Sequence, residues 1–121
     1  MPGNVERRRV TDAQGQLTEE AEYVDGVLNG KRTLWSSTGI KLGEAEYQGG
    51  KLHGRSQLWN EAGQLVLDAH YANGELDGPY LSWWDNGNSK EQGQFRRGSR
   101  TGTYRWFNLD GSLHSEQHYN G

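Results

Sequence analysis

Three side chains near the end of the chain, at alternate positions, are of types that bind metal ions. His114, Glu116 and His118 would lie on one face of a β-strand, because successive strand side chains point to opposite faces. Two histidines at this spacing in a strand are about 13 Å apart, however, much farther than two ligands of one zinc ion. The sequence contains no cysteine, which excludes a thiolate site. We therefore predict no metal site.

Carboxylates recur at multiples of 24 residues and could serve acid–base chemistry. They are Glu20, Glu44, Asp68 and Glu116. Acid–base catalysis would need two carboxyl groups about 5–9 Å apart in a pocket that alters their pKa values, and equivalent positions on an open sheet provide none. The column is typical of a solvated sheet face. The alternative is an acidic stripe that docks a basic partner, such as an enzyme with a cationic active site.

Aromatic residues form the second group with a functional interpretation. Some of these aromatic residues recur every 24 residues. This repeating set either packs as the core or supplies binding anchors, since Trp and Tyr are enriched at interface hot spots. A second set departs from the repeat, and such residues are better candidates for specificity because the scaffold does not require them. That set includes Tyr80, Trp84, Asp85, Tyr104, Arg105 and Trp106. The predicted partner-binding residues are Trp35, Trp59, Tyr80, Trp83, Trp84, Asp85, Trp106, Glu44 and Asp68.

Composition narrows the class of protein. A chain of 121 residues suits one domain. The net charge of −3 argues against nucleic acid and against an anionic membrane surface as partners. No apolar run is long enough to span a membrane, and no signal peptide is visible. We expect a cytoplasmic protein, or a periplasmic one if a signal peptide has been removed, without membrane insertion.

Enzymatic motifs such as a P-loop or a Ser-His-Asp constellation are absent, so we predict no enzyme, no catalytic residue and no cofactor.

The positions of these residues are set by an internal repeat of 24 residues. One glycine column is unbroken through Gly15, Gly39, Gly63, Gly87 and Gly111. An aromatic column runs through Tyr23, Tyr47, Tyr71, Phe95 and Tyr119, and a third column through Trp35, Trp59, Trp83 and Phe107. Leu28, Leu52 and Leu76 form a column that ends at Arg100. Turn pairs such as Asp25-Gly26 and Asn73-Gly74 separate short segments, which is typical of β-hairpins.

The turns also predict a register. A three-residue loop ending at Gly63 would pair Trp59 with Leu65, and a two-residue turn at Asn73-Gly74 would pair Tyr71 with Leu76. The Trp and Tyr columns would then share one face. To keep both columns on that face, one residue in each unit must interrupt the alternation of side chains along its strand. We predict these bulges at Gly30, Gly54, Gly78 and Gly102.

The resulting fold class is all-β. We predict an elongated, twisted antiparallel β-meander of about five 24-residue hairpin repeats. The chain would form a single repeat domain over residues 1–121. Its units would be a degenerate first unit at 1–29, followed by 30–53, 54–77, 78–101 and 102–121.

The repeat resembles a known family. The stretch from Gly54 through Trp59, Gly63 and Tyr71 to Gly78 is similar to the variant MORN repeat, and residues from about 10 to 121 resemble the YwqK-like antitoxin family. The resemblance implies a bacterial antitoxin or immunity protein that binds and blocks a cognate toxin enzyme.

Two other functions stay open. The protein could be a structural scaffold that associates with itself, as a homodimer or a longer rod joined through sheet edges. It could also bind lipid headgroups, as MORN repeats are sometimes thought to do, although the acidic balance disfavours this. Size as a function of concentration separates a toxin blocker from a self-assembling scaffold.

Overall fold

Ten strands make up the computed structural model, which describes residues 3–120. They are β1 (Val5–Thr11), β2 (Leu17–Val24), β3 (Val27–Trp35), β4 (Lys41–Gln48), β5 (Lys51–Trp59), β6 (Leu65–Ala72), β7 (Glu75–Trp83), β8 (Ser89–Arg96), β9 (Ser99–Phe107) and β10 (Leu113–Tyr119). All ten lie in one antiparallel sheet whose spatial order is the order of the sequence. None of the described residues forms a helix that is long and apolar enough to cross a membrane. The predicted all-β meander is confirmed.

The 24-residue repeat is visible in the strand positions. Strands β3, β5, β7 and β9 begin 24 residues apart, and so do β2, β4, β6, β8 and β10. The boundaries predicted for the individual units stay a prediction, because a continuous sheet has no break between one hairpin and the next.

Two kinds of turn alternate along the sheet, as predicted. Two-residue turns follow the even-numbered strands, and both residues of Asn73-Gly74 have positive φ (53° and 87°), the conformation of type I′ hairpin turns. Three-residue loops follow the odd-numbered strands. In the β5–β6 loop the Gly63 N–H donates to the Asn60 carbonyl at 2.9 Å, and the Asn60 N–H donates to the Gln64 carbonyl at 2.9 Å. The predicted pairs of Trp59 with Leu65 and of Tyr71 with Leu76 are both present.

The predicted glycine bulges are confirmed as well. Between the pairs of Ala69 with Tyr80 and Tyr71 with Leu76, a single residue of β6, His70, faces three residues of β7 centred on Gly78. Gly78 has a φ of +117°, and a Cβ there would lie 3.2 Å from the Cβ of His70. The same irregularity recurs at Gly30 and Gly54. In the β8–β9 hairpin it is shifted by one residue, so that Gly93 faces Gly102, Thr103 and Tyr104.

The prediction that the Trp and Tyr columns share a face is wrong. From Gly54 opposite Tyr71 to Leu58 opposite Leu67, every residue of β5 pairs in step with β6. Trp59 follows Leu58 and therefore points to the side of the sheet opposite Tyr71.

The cause is one extra residue in β6. Trp59 pairs with Leu65 and Leu58 with Leu67, which leaves Val66 without a partner. This bulge breaks the alternation between Leu65 and Tyr71 on which the prediction depended.

Side-chain contacts agree with this assignment. The Lys41 Nζ lies 3.5 Å from the Glu44 Oε2 and 4.6 Å from the centre of the Trp59 ring, so these three side chains share a side. We call that side, which also carries Asp68, the charged face. The side that carries Tyr71 and Ala69 is called the aromatic face.

Burial is slight for a chain of this size. The accessible surface is 7668 Å², whereas a globular protein of the same mass would expose about 6600 Å². Among residues 3–120 the buried apolar side chains are Ala21, Ala69 and Tyr104, and Tyr104 is the one large side chain that is fully buried. The most deeply buried part of the molecule therefore lies on the aromatic face around Tyr104.

Candidate functional site

Aromatic side chains from three adjacent strands meet on the aromatic face. The ring centres of Tyr80 and Phe95 are 5.4 Å apart, those of Phe95 and Tyr104 are 5.8 Å apart, and those of Tyr104 and Trp106 are 4.7 Å apart. The first two pairs pack edge to face, an arrangement that aromatic rings favour. With Trp84 these four residues form what we call the aromatic patch.

Tyr104 is central to the patch because its ring fits over a glycine. Ala21, Ala45 and Ala69 occupy the equivalent position in the earlier units, but β8 has Gly93 there. A Cβ at Gly93 would collide with the Tyr104 ring. Burial, and next the nearby charge of Glu91, raises the pKa of Tyr104 to about 12, although Arg100 acts in the opposite direction. Burial also raises the pKa of Tyr80.

Trp84 occupies a turn position where other units carry a polar cap. Asp12, Ser36 and Asn60 each accept two backbone hydrogen bonds from the loops that they begin, which stabilises such turns. Trp84 cannot accept them. Its indole Nε1 instead donates to the Phe107 carbonyl at 3.3 Å.

Two open depressions flank Trp84. One, of about 470 Å³, reaches Trp106, Leu109 and His114, and the other, of about 460 Å³, reaches Tyr80 and Leu58. Both are lined by Trp84, Lys90 and Glu91. The indole of Trp84, with the Lys90 Nζ 4.7 Å from its ring centre, thus separates the two depressions.

The charged face differs from the acidic stripe considered from the sequence. Each carboxylate of the column has a basic partner, namely Arg9 with Glu20 at 2.7 Å, Lys41 with Glu44 at 3.5 Å, Arg55 with Asp68 at 2.7 Å and Arg105 with Glu116 at 2.6 Å. The Arg55 guanidinium, which hydrogen-bonds Asp68, holds the pKa of that carboxyl below its ordinary value. The column is therefore a ladder of ion pairs, in which the acidic charge is locally compensated.

The nine predicted partner-binding residues divide between the two faces. Tyr80, Trp84 and Trp106 come together on the aromatic face. The register and contacts place Trp35, Trp59, Trp83, Glu44 and Asp68 on the charged face. Asp85 is exposed in the loop after β7, where its Oδ1 accepts from the Asn60 Nδ2 at 3.2 Å. One partner surface on one face can contact only one of these groups.

Sequence reasoning overlooked Lys90 and Glu91, which line both depressions. They occupy positions that carry no residue type common to the other units, so nothing in the columns indicates them. Arg100 did leave a signal, because it replaces leucine in its column. Within residues 3–120 no three His, Asp or Glu side chains converge in a way that could hold a metal ion.

Comparison with known proteins identifies the repeat. No curated protein matches the chain. The family model for the MORN repeat variant matches residues 76–97 and 100–120, which together contain every residue of the aromatic patch. MORN repeats are non-catalytic modules that commonly bind proteins or lipids. The chain is thus an all-β repeat protein whose residues 76–97 and 100–120 are similar to the MORN repeat variant.

Proposed function

We propose that this protein is non-catalytic and binds another protein through the aromatic patch. In its specific form, the proposal is an antitoxin or immunity protein that covers a cognate toxin enzyme and blocks it. The observation that carries it is the presence of large aromatic side chains at positions where the repeat does not require them.

Trp84 and Tyr104 illustrate that observation. A polar residue at the turn position stabilises the loop by accepting two backbone hydrogen bonds, and the half-buried indole of Trp84 does not provide this stabilisation. Tyr104 occurs where the preceding units carry Arg32, Ser56 and Tyr80. The half-buried Trp84 and Trp106 beside the open depressions are of a type that often dominates binding energy at protein interfaces, whereas Tyr104 is fully buried and packs against Trp106.

The antitoxin form of the proposal rests on the resemblance of the whole chain to the YwqK-like antitoxin family. A broad sheet surface with the half-buried indole of Trp84 on it could cover the mouth of an active site and exclude substrate without any chemistry of its own.

Its test is capture of the partner from the native host, followed by a direct assay. We expect the tagged protein to recover one stoichiometric enzyme and to inhibit it. Trp84→Asn restores the polar turn residue and should keep the melting temperature while weakening inhibition at least about tenfold. Trp59→Thr is the matched control, because it removes a Trp from the charged face and places there the residue that the first unit has at Thr11. Inhibition lost in the control but kept in Trp84→Asn would contradict the proposed surface.

Self-association is the second candidate. Strands β1 and β10 each pair on one side only, and unpaired strand edges can pair with another copy. A mass that rises with concentration in sedimentation, with no enzyme recovered from the host, would replace the toxin-blocking proposal by this one. Binding to phosphatidylserine vesicles in place of a protein would favour lipid recognition.

A further inference from the structure

Basic charge is concentrated in one hairpin of this acidic protein. Residues 89–107, which span β8 and β9, contain five basic residues and one acidic residue, a net charge of +4. The chain as a whole carries −3, so the remaining residues carry −7. The same hairpin supplies Phe95, Tyr104 and Trp106 to the aromatic patch.

Arg100 joins this basic charge to the aromatic patch. Its guanidinium carbon lies 4.7 Å from the centre of the Tyr104 ring, 5.4 Å from that of Trp106 and 5.6 Å from that of Phe95. In residues 3–120 neither Arg100 nor Lys90 forms an ion pair with a carboxylate. A guanidinium held over aromatic rings keeps outward N–H donors, which suit a carboxylate.

The basic surface continues into the turn between β8 and β9. A depression of about 310 Å³ is lined by Arg96, Arg97, Ser99, Arg100 and Thr101. Phe95 pairs with Arg100 on the aromatic face, so the neighbouring pairs of Arg96 with Ser99 and Gln94 with Thr101 lie on the charged face. Arg97, in the turn itself, is therefore the basic side chain that extends the surface around Arg100. Arg100 therefore belongs to both this depression and the patch.

We propose that the patch and this turn together bind an acidic protein segment with an apolar anchor. Carboxylates of the segment bind Arg100, Lys90 and Arg97, and its apolar side chain fills the depression between Trp84 and Trp106. This rests on the proposed protein-binding function and defines the partner's chemistry. The proposed surface is basic and its ligand acidic, whereas the acidic stripe considered from the sequence would bind a basic partner. An acidic segment fits better than nucleic acid, because the −7 on the rest of the surface repels a long polyanion.

Defined peptides test the proposal directly. The probes are three peptides of about 14 residues with one Trp and one Leu each, otherwise rich in Glu, in Gln or in Lys, together with an oligothymidine of similar length. In an amide NMR titration we expect the Glu-rich peptide to bind about tenfold more tightly than the Gln-rich one. The amide shifts should centre on Lys90, Arg100 and Trp106, and the affinity for the Glu-rich peptide should fall at about 0.5 M salt. Tightest binding by the Lys-rich peptide or by the oligonucleotide would overturn it, as would shifts centred on Asp68.

Arg100→Leu is the decisive variant, because leucine occupies this column in three other units. We expect an unchanged or higher melting temperature and a loss of about fivefold or more in affinity for the Glu-rich peptide. Lys51→Gln is the matched control on the charged face and should bind like the wild type. Wild-type affinity in Arg100→Leu would refute the acidic-segment inference. If Trp84→Asn still abolished inhibition of the captured enzyme in that case, the proposed function would survive without it.

Discussion

Gly93 shows how one residue adapts the repeat to a larger neighbour. Its backbone does not have the positive φ that favours glycine, so the requirement is steric. We expect Gly93→Ala to lower the free energy of unfolding by about 1–3 kcal/mol, because the new methyl group overlaps the ring of the fully buried Tyr104. Urea unfolding measures this.

A matched glycine on the same face provides the control. A Cβ at Gly43 would lie 3.2 Å from the Leu58 Cδ2, the end of a side chain that is 43% exposed and can move. Gly43→Ala should cost much less. Equal effects of the two substitutions would show that Tyr104 is not the constraint.

The raised pKa of Tyr104 predicts how the free energy of unfolding changes at high pH. The pKa of this phenol is about 12 in the folded protein and about 10 in an unfolded chain. The folded state therefore holds the proton more tightly, and its contribution to stability is present below pH 10 and lost as the pH rises towards 12. In urea unfolding at about pH 9 and 11, the wild type should lose more stability than Tyr104→Phe. An identical loss in both proteins would contradict this.

The β8–β9 hairpin departs from the others in its turn. Arg97 has a φ of +49°, a conformation that Asn tolerates better than other side chains. Asn73 holds the equivalent position in the β6–β7 turn. We expect Arg97→Asn to raise the melting temperature and Asn73→Arg to lower it, each by an amount equivalent to about 0.5–1 kcal/mol. The backbone hydrogen bond from the Arg97 N–H to the Asp77 Oδ1 at 3.0 Å is available to either residue.

These two substitutions also separate the hairpin's stability from its binding. Arg97→Asn should bind the Glu-rich peptide more weakly than the wild type although it is more stable. If Arg97→Asn were less stable than the wild type, the turn would require Arg97 for folding, and the residue could not be assigned to binding.

At the element scale, turns and bulges were predictable, but the sheet faces were not. The conformations of Asn73-Gly74 and Gly78 depend on a few adjacent residues, whose types indicate them. The unpaired Val66 depends on how two strands fit over their whole length, and no residue type marks it.

For the whole molecule, the fold is a single sheet in which substantial contacts connect only neighbouring strands. Such a protein need not unfold in one step, since each hairpin is held only by the next. Amide hydrogen exchange should be slowest in β6 to β9, where Ala69 and Tyr104 are buried, and fastest in β1, whose seven residues are all exposed. Equal protection throughout would indicate one cooperative unit.

The sequence by itself determined the repeat, the strand order, both turn types and the glycine bulges, because a backbone conformation is encoded within a few residues. Only the tertiary structure decided which side chains share a face. One extra residue in a strand reverses every side chain beyond it, and this separated Trp59 and Trp83 from Tyr80, Trp84 and Trp106. The same pairing compensated the acidic column and left Arg100 and Lys90 beside the aromatic patch, because the register of neighbouring strands decides which charged side chains meet.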